Sequence, residues 1–203
     1  MDFVIDKRLL FYLILTFIIT TIIGTVSHEC GHYLAGKIMG FKVHLSYGMT
    51  TLINSGKFMT NKAWLLFALA GPFQTMVTGT IGFFLLYQTA PPGDKLSIKQ
   101  WLFVFISLFW LRQPANLVVG FFKLLITGSF PDNGDEINLS RALHIPGLSI
   151  NFTTALIGCI VLSIIVFKFV PKKQRFTFIL SGLAGGIAGY LFWFGWAGQI
   201  IMP

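Results

Sequence analysis

Long uncharged runs alternate with short polar connections along this chain. The first run has no charged residue from Leu9 to Ser27. Its helical pattern carries on to about Met39, where Gly40 suits a C-terminal cap. At about 1.5 Å per residue, such a helix is longer than a bilayer core is thick, so it must tilt or project. From Phe41 to Met49 the odd positions are apolar and the even ones polar or small, the period of a half-buried strand. Asn54-Ser55-Gly56 reads as a turn and Lys57-Phe58-Met59 as the returning strand. Four more apolar runs follow, at about 63–90, 101–127, 148–170 and 176–200. A short helix over 137–143 is expected between the third and fourth spans. The predicted fold is an all-α polytopic membrane protein of about five transmembrane helices, with a small interfacial β-hairpin after the first.

Composition agrees with that class. Of 203 residues, 55% are hydrophobic and 11% charged, against about 25% charged in soluble domains. The net charge of +8 comes from basic residues scattered at helix ends and connections, where they anchor to headgroups of the lipid bilayer. No basic run is interleaved with stacking aromatics, so nucleic acid is not an expected partner. Cys30 and Cys159 do not make a disulfide framework. Lys7-Arg8 before an apolar run superficially resembles a signal peptide. The run is too long and lacks a small-residue cleavage site, so it reads as a retained membrane helix.

The candidate chemistry lies near the far end of the first run, in His28-Glu29-Cys30-Gly31-His32. Residues four apart share a helix face, so both imidazoles can reach one metal ion, usually Zn2+. Glu29 points roughly 100° away, where it is free to act as a base on a water. Ionisable groups at the end of a membrane helix are costly, which favours function over chance. The bland alternative is a pair of histidines satisfied by helix–helix hydrogen bonds. Gly24, His28, His32 and Gly36 form a small, polar stripe that lets a neighbour approach closely.

Later segments add polar features. Ala70-Gly71-Pro72 interrupts the second run, and a proline break in lipid survives only where protein or a cavity covers it. Arg112-Gln113-Pro114 and Asn116 lie inside the third run. Arg112 reads either as a structural ion pair or as a polar contact near the site. The acidic cluster Asp132-Asn133-Gly134-Asp135-Glu136 follows. Zinc held by two histidines needs a third protein ligand. Asp135, opening the next helix, is the first choice and Asp132 the second. Gly182, Gly185, Gly186 and Gly189 suit close helix packing, within the chain or in a homo-oligomer. Trp193 and Trp196 fit an interfacial belt.

Taken together, these motifs resemble the site-two protease family of intramembrane zinc metalloproteases. The resemblance covers residues 9–148, with 149–203 as accessory helices of one membrane domain. It rests on His28–His32, the strand region 41–59, Ala70-Gly71-Pro72 and the Asp132–Asp135 cluster, in the family's order. It implies Glu29 as the catalytic base, His28, His32 and an aspartate as metal ligands, and Zn2+ as cofactor. It also implies a membrane-protein or membrane-peptide substrate, held near Val43, Leu45 and Tyr47 and near Gly71, Pro72 and Thr75. Thr75 departs from the asparagine frequent at its position, and Asp-Asn-Gly-Asp-Glu replaces a simple Asp-Gly. The distribution of lysine and arginine puts the N-terminus in the cytoplasm, whereas the resemblance implies the reverse. The expected location is the cell membrane. The alternative is a non-proteolytic metal-binding membrane protein, a transporter or assembly subunit, of the same fold.

Overall fold

A computed structural model describes residues 5–53, 60–89 and 93–203. Among the described residues, five helical stretches are long and apolar enough to cross a membrane: Lys7–Ile38, Asn61–Tyr87, Ile98–Thr127, Ser149–Phe169 and Lys172–Ile201. Large apolar side chains such as Phe11, Ile19, Phe84, Leu125 and Leu183 point outward, as a lipid-facing surface requires. The protein is an integral, multi-pass membrane protein.

Helix α1, Lys7–Ile38, is capped by Asp6, whose carboxylate accepts from the amides of Arg8 and Leu9. Strands β1, Val43–Leu45, and β2, Thr50–Leu52, form an antiparallel hairpin in which Leu45 pairs with Thr50. Among the described residues, the strand that pairs with β1 is Thr50–Leu52. Ser46 closes the turn, its amide and hydroxyl both donating to the Met49 carbonyl. The expected turn at Asn54–Gly56 and strand at 57–59 lie outside the described residues.

Helix α2, Asn61–Tyr87, runs unbroken through Pro72, which is buried. The predicted interruption is thus confined to a missing N–H inside a continuous helix. The third span does break. Helix α3, Ile98–Ser107, opens on a Ser97–Gln100 capping box, passes through a 3-10 turn at Leu108–Leu111 and continues as α4, Arg112–Thr127. Pro114 cannot donate to the Trp110 carbonyl, which explains the turn's position. Gly158 covers the break so closely that a Cβ there would sit 2.9 Å from Pro114 and 3.0 Å from the Trp110 oxygen.

Gly128, in the left-handed conformation, ends α4. Helix α5 spans Asp135–Ala142 with Gly134 at its N-cap. It starts two residues earlier than expected, making Asp135 its first residue. Helix α6, Ser149–Ile164, ends in a π turn, Ile165–Phe169. Helix α7, Lys172–Phe192, is followed by a second π turn, Trp193–Ala197, and by α8, Gly198–Ile201.

The two ends of the bundle differ in chemistry. At the end where α1 begins, Leu13, Phe17, Leu86, Val104, Phe105, Ile165 and Phe178 form one apolar cluster. The other end of α1 carries its buried Thr25, His28, Glu29 and His32. Helix α1 packs most extensively on α7 and next on α2. Gly182, Gly185 and Gly189 all face α1, meeting Ile14, Phe17, Ile18 and Thr21, whereas Gly186 faces open space. The close-packing face of the glycine-rich helix is thus used within this chain. Trp193 does not join a lipid-facing belt. It is buried and donates its indole N–H to the Tyr47 carbonyl at 2.8 Å, while Trp196 remains exposed.

Candidate metal centre

The His28, His32 and Asp135 side chains converge on one point. Asp135 Oδ2 lies 2.9 Å from His28 Nε2 and 3.3 Å from His32 Nε2, and the two Nε2 atoms are 3.2 Å apart. Ligands held tetrahedrally at about 2.0–2.1 Å stand about 3.3–3.4 Å from one another. The observed triangle fits within a few tenths of an ångström.

The partners behind the imidazoles show what this triangle lacks. His32 Nδ1 is 2.7 Å from the Phe67 carbonyl, which can only accept, so Nδ1 carries the proton. His28 Nδ1 is 2.9 Å from the Thr75 hydroxyl, which spends its own hydrogen on the Gly71 carbonyl at 2.9 Å. That hydroxyl therefore accepts, and His28 Nδ1 is also the protonated nitrogen. Both neutral rings consequently turn a bare Nε2 lone pair toward a carboxylate. Three acceptors meet with no donor among them. One added proton would satisfy one pair, whereas a divalent cation satisfies all three. These residues fit a metal ion, and the donor set of two nitrogens and one oxygen suits zinc.

Each ligand is positioned by local structure. The histidines stack on the α1 face that meets α2 because they lie four residues apart. Gly71 makes their approach possible, since a Cβ there would run into the Nε2 atoms of both rings. Gly31 does the same from α1, where a Cβ would sit 2.7 Å from the Ala70 carbonyl. Asp135 reaches the site from the first turn of α5, which packs on α2. Asp132 is exposed and is not part of the cluster. Thr75→Val removes the acceptor for His28 Nδ1. Metal affinity is expected to fall about 10–100-fold, as read by titration of a divalent cation against a competing chelator.

Glu29 is buried beside the trio but is not one of its members. Its Oε2 accepts from the Thr50 hydroxyl at 3.1 Å. Neither this contact nor the Thr75 contact was read from sequence, because both join residues distant along the chain.

The other candidates fall as follows. Val43 is buried, its Cγ1 occupying the space where Gly36 has no side chain. Leu45 is half-buried opposite Thr50. Tyr47 has both main-chain groups engaged by the C-terminal segment: its N–H donates to the Met202 carbonyl, and its carbonyl accepts from Trp193. Gly71 and Thr75 touch the histidines, and Pro72 is buried beside them. Among the described residues Arg112 has no ion-pair partner within 4.0 Å. Instead it lines a cavity of about 240 Å³ with Asn116, Asn133, Asp135, Glu136 and Asn151. Among the described residues, Arg112 Nε, Glu136 Oε1 and Asn151 Oδ1 are buried and meet no hydrogen-bond partner. Burial, and then the charge of Asp135, hold the Glu136 carboxyl above its ordinary range, with Arg112 acting in the opposite sense. At about 30 Å³ per molecule the cavity has room for several waters.

No protein-family model, curated protein or solved structure matches this chain. Fold and cluster together define a multi-pass membrane protein, with five candidate spans among the described residues, whose buried His28 and His32 and half-buried Asp135 could hold a metal ion.

Proposed function

We propose that this protein is an intramembrane zinc metalloprotease, hydrolysing peptide bonds in or near the transmembrane segments of membrane-protein substrates. The observation that carries this reading is the donor-free convergence of His28, His32 and Asp135, with the buried carboxylate of Glu29 beside it. A carrier or structural metal site would need the ligands. It would not need an acid next in sequence that is buried and excluded from ligation.

When bound, zinc supplies Lewis acidity, polarising the scissile carbonyl and lowering the pKa of the attacking water. His28 and His32 would hold it through Nε2, oriented by Thr75 and Phe67, and Asp135 would hold it through its carboxylate. Glu29 takes the proton of the attacking water at Oε1, since Oε2 is engaged by Thr50, and passes it to the departing amine. The polar cavity behind Asp135 keeps water within reach of a site surrounded by lipid. An extended substrate lies alongside the hairpin, whose strand β2 touches the base.

The test pairs wild type with Glu29→Gln, purified in detergent and offered single-span membrane substrates. The expected result is equal zinc content and a loss of cleavage of about a thousand-fold, within the usual contribution of a general base. Cleavage at the wild-type rate by Glu29→Gln rules out the assigned base. Zinc binding by a wild type that cleaves nothing favours a non-proteolytic metal-binding protein.

A further inference from the structure

We propose that Thr50 is a positioning residue that fixes the Glu29 carboxylate in the orientation from which it accepts a proton. This rests on the reading of Glu29 as general base.

The Thr50 hydroxyl lies 2.9 Å from the Glu29 main-chain carbonyl and 3.1 Å from Glu29 Oε2. A single O–H hydrogen is thus shared between the backbone and the carboxylate of one residue. Among the described residues no other side chain hydrogen-bonds this carboxylate. A glutamate has several rotatable side-chain bonds, and ordering such a side chain costs up to about 2 kcal/mol. Tying Oε2 to the helix's own carbonyl imposes that order before substrate arrives. It also leaves Oε1 as the oxygen that handles the proton.

Thr50 is itself held from three directions. It pairs with Leu45 across the hairpin. The residue before it is held by two hydrogen bonds, from the Ser46 amide and hydroxyl to the Met49 carbonyl. Its branched Cβ restricts χ1. The hairpin is therefore more than a connection: its second strand reaches 21 residues back along the chain to set one carboxylate.

Thr50→Val keeps the shape and removes the hydroxyl, and Thr50→Ser keeps the hydroxyl. With zinc content unchanged, Thr50→Val is expected to lower kcat about 10–100-fold, part of the general-base contribution, with KM unchanged. Thr50→Ser is expected to restore most of the rate. A readout independent of turnover is the affinity of the zinc-loaded protein for an apolar dipeptide hydroxamate, whose acidic proton passes to the base carboxylate. Thr50→Val is expected to weaken it about tenfold, and to have little further effect once Glu29 is glutamine, the non-additivity of groups that act together.

Wild-type kcat and hydroxamate affinity in Thr50→Val, beside an inactive Glu29→Gln, overturn the role of Thr50 and leave the protease reading intact. A Thr50→Ser variant as impaired as Thr50→Val also overturns it, because packing and not the hydroxyl is then at work. Normal cleavage by Glu29→Gln removes the role of Thr50 together with Glu29 as base, and leaves the cleavage itself standing.

Discussion

Asp135→Ala is expected to emerge from purification without zinc under conditions that load the wild type fully, and to cleave nothing. Metal sites of this kind bind with about 10–16 kcal/mol in total. One of three protein ligands then accounts for roughly 4 kcal/mol, about a thousand-fold in affinity at 1.4 kcal/mol per tenfold. The loss is not made good locally. Asp132 is exposed and outside the cluster, and Glu136, next along the chain, faces the cavity with Arg112 and Asn151. Asp132→Ala, made in parallel, is expected to keep both zinc and activity. Elemental analysis of the two variants beside wild type is the check. The reverse pattern would put the carboxylate ligand at the wrong position.

Gly71→Ala, a change of one methyl group, is expected to cost nearly as much. The new carbon would collide with the Nε2 atoms of both histidines. The helices must part, or the rings must swing off their Thr75 and Phe67 partners. Overpacking of this kind costs about 1–3 kcal/mol in stability. Displaced rings lose the geometry of the triangle, so zinc affinity is expected to fall by about two orders of magnitude or more, at 1.4 kcal/mol per tenfold. Gly186→Ala is the control. Nothing lies within 4 Å of its added carbon, and it is expected to match wild type within about 0.5 kcal/mol, as surface changes do. Zinc titration together with thermal unfolding in detergent separates the two. A Gly71→Ala protein with wild-type zinc affinity would mean that α1 and α2 do not approach as described.

The sequence made the spans and the pair of imidazoles legible because both depend on local periodicity. Uncharged runs of bilayer length can do little else than cross a membrane, and a spacing of four on a helix puts two side chains on one face whatever surrounds them. The hairpin was only half readable. Phe41, Val43, Leu45, Tyr47 and Met49 keep period two straight through the residues that form the turn, so the pattern concealed where the strand reverses. Thr50-Thr51-Leu52 has too little alternation to announce a strand. Pro72 and Pro114 look alike in sequence, yet α2 runs on through the first and the third span tightens into a 3-10 turn ahead of the second. Trp193 sits near a helix end, where tryptophans gather at lipid headgroups. Its partner, the Tyr47 carbonyl, is 146 residues away, and no local rule foresees it. The same holds for Thr50 on Glu29 and Thr75 on His28, polar contacts fixed by how helices and hairpin dock.

The carboxylate of the triangle stands 103 residues beyond the second imidazole, which has a consequence for biogenesis. Both histidines enter the bilayer with the first span, while their third partner is translated only after two more spans. A nascent chain short of Asp135 offers the two nitrogens without the carboxylate that converges on them, a weak trap for any ion. Metal acquisition therefore waits until the first three spans and the start of α5 have been made. Once captured, the ion is a clasp joining the first span to the middle of the chain. In the chain-entropy picture, fastening a loop of about 100 residues is worth roughly 4–5 kcal/mol. Under the proposed function, catalytic competence thus waits on the same event that fastens the first span to the middle of the chain.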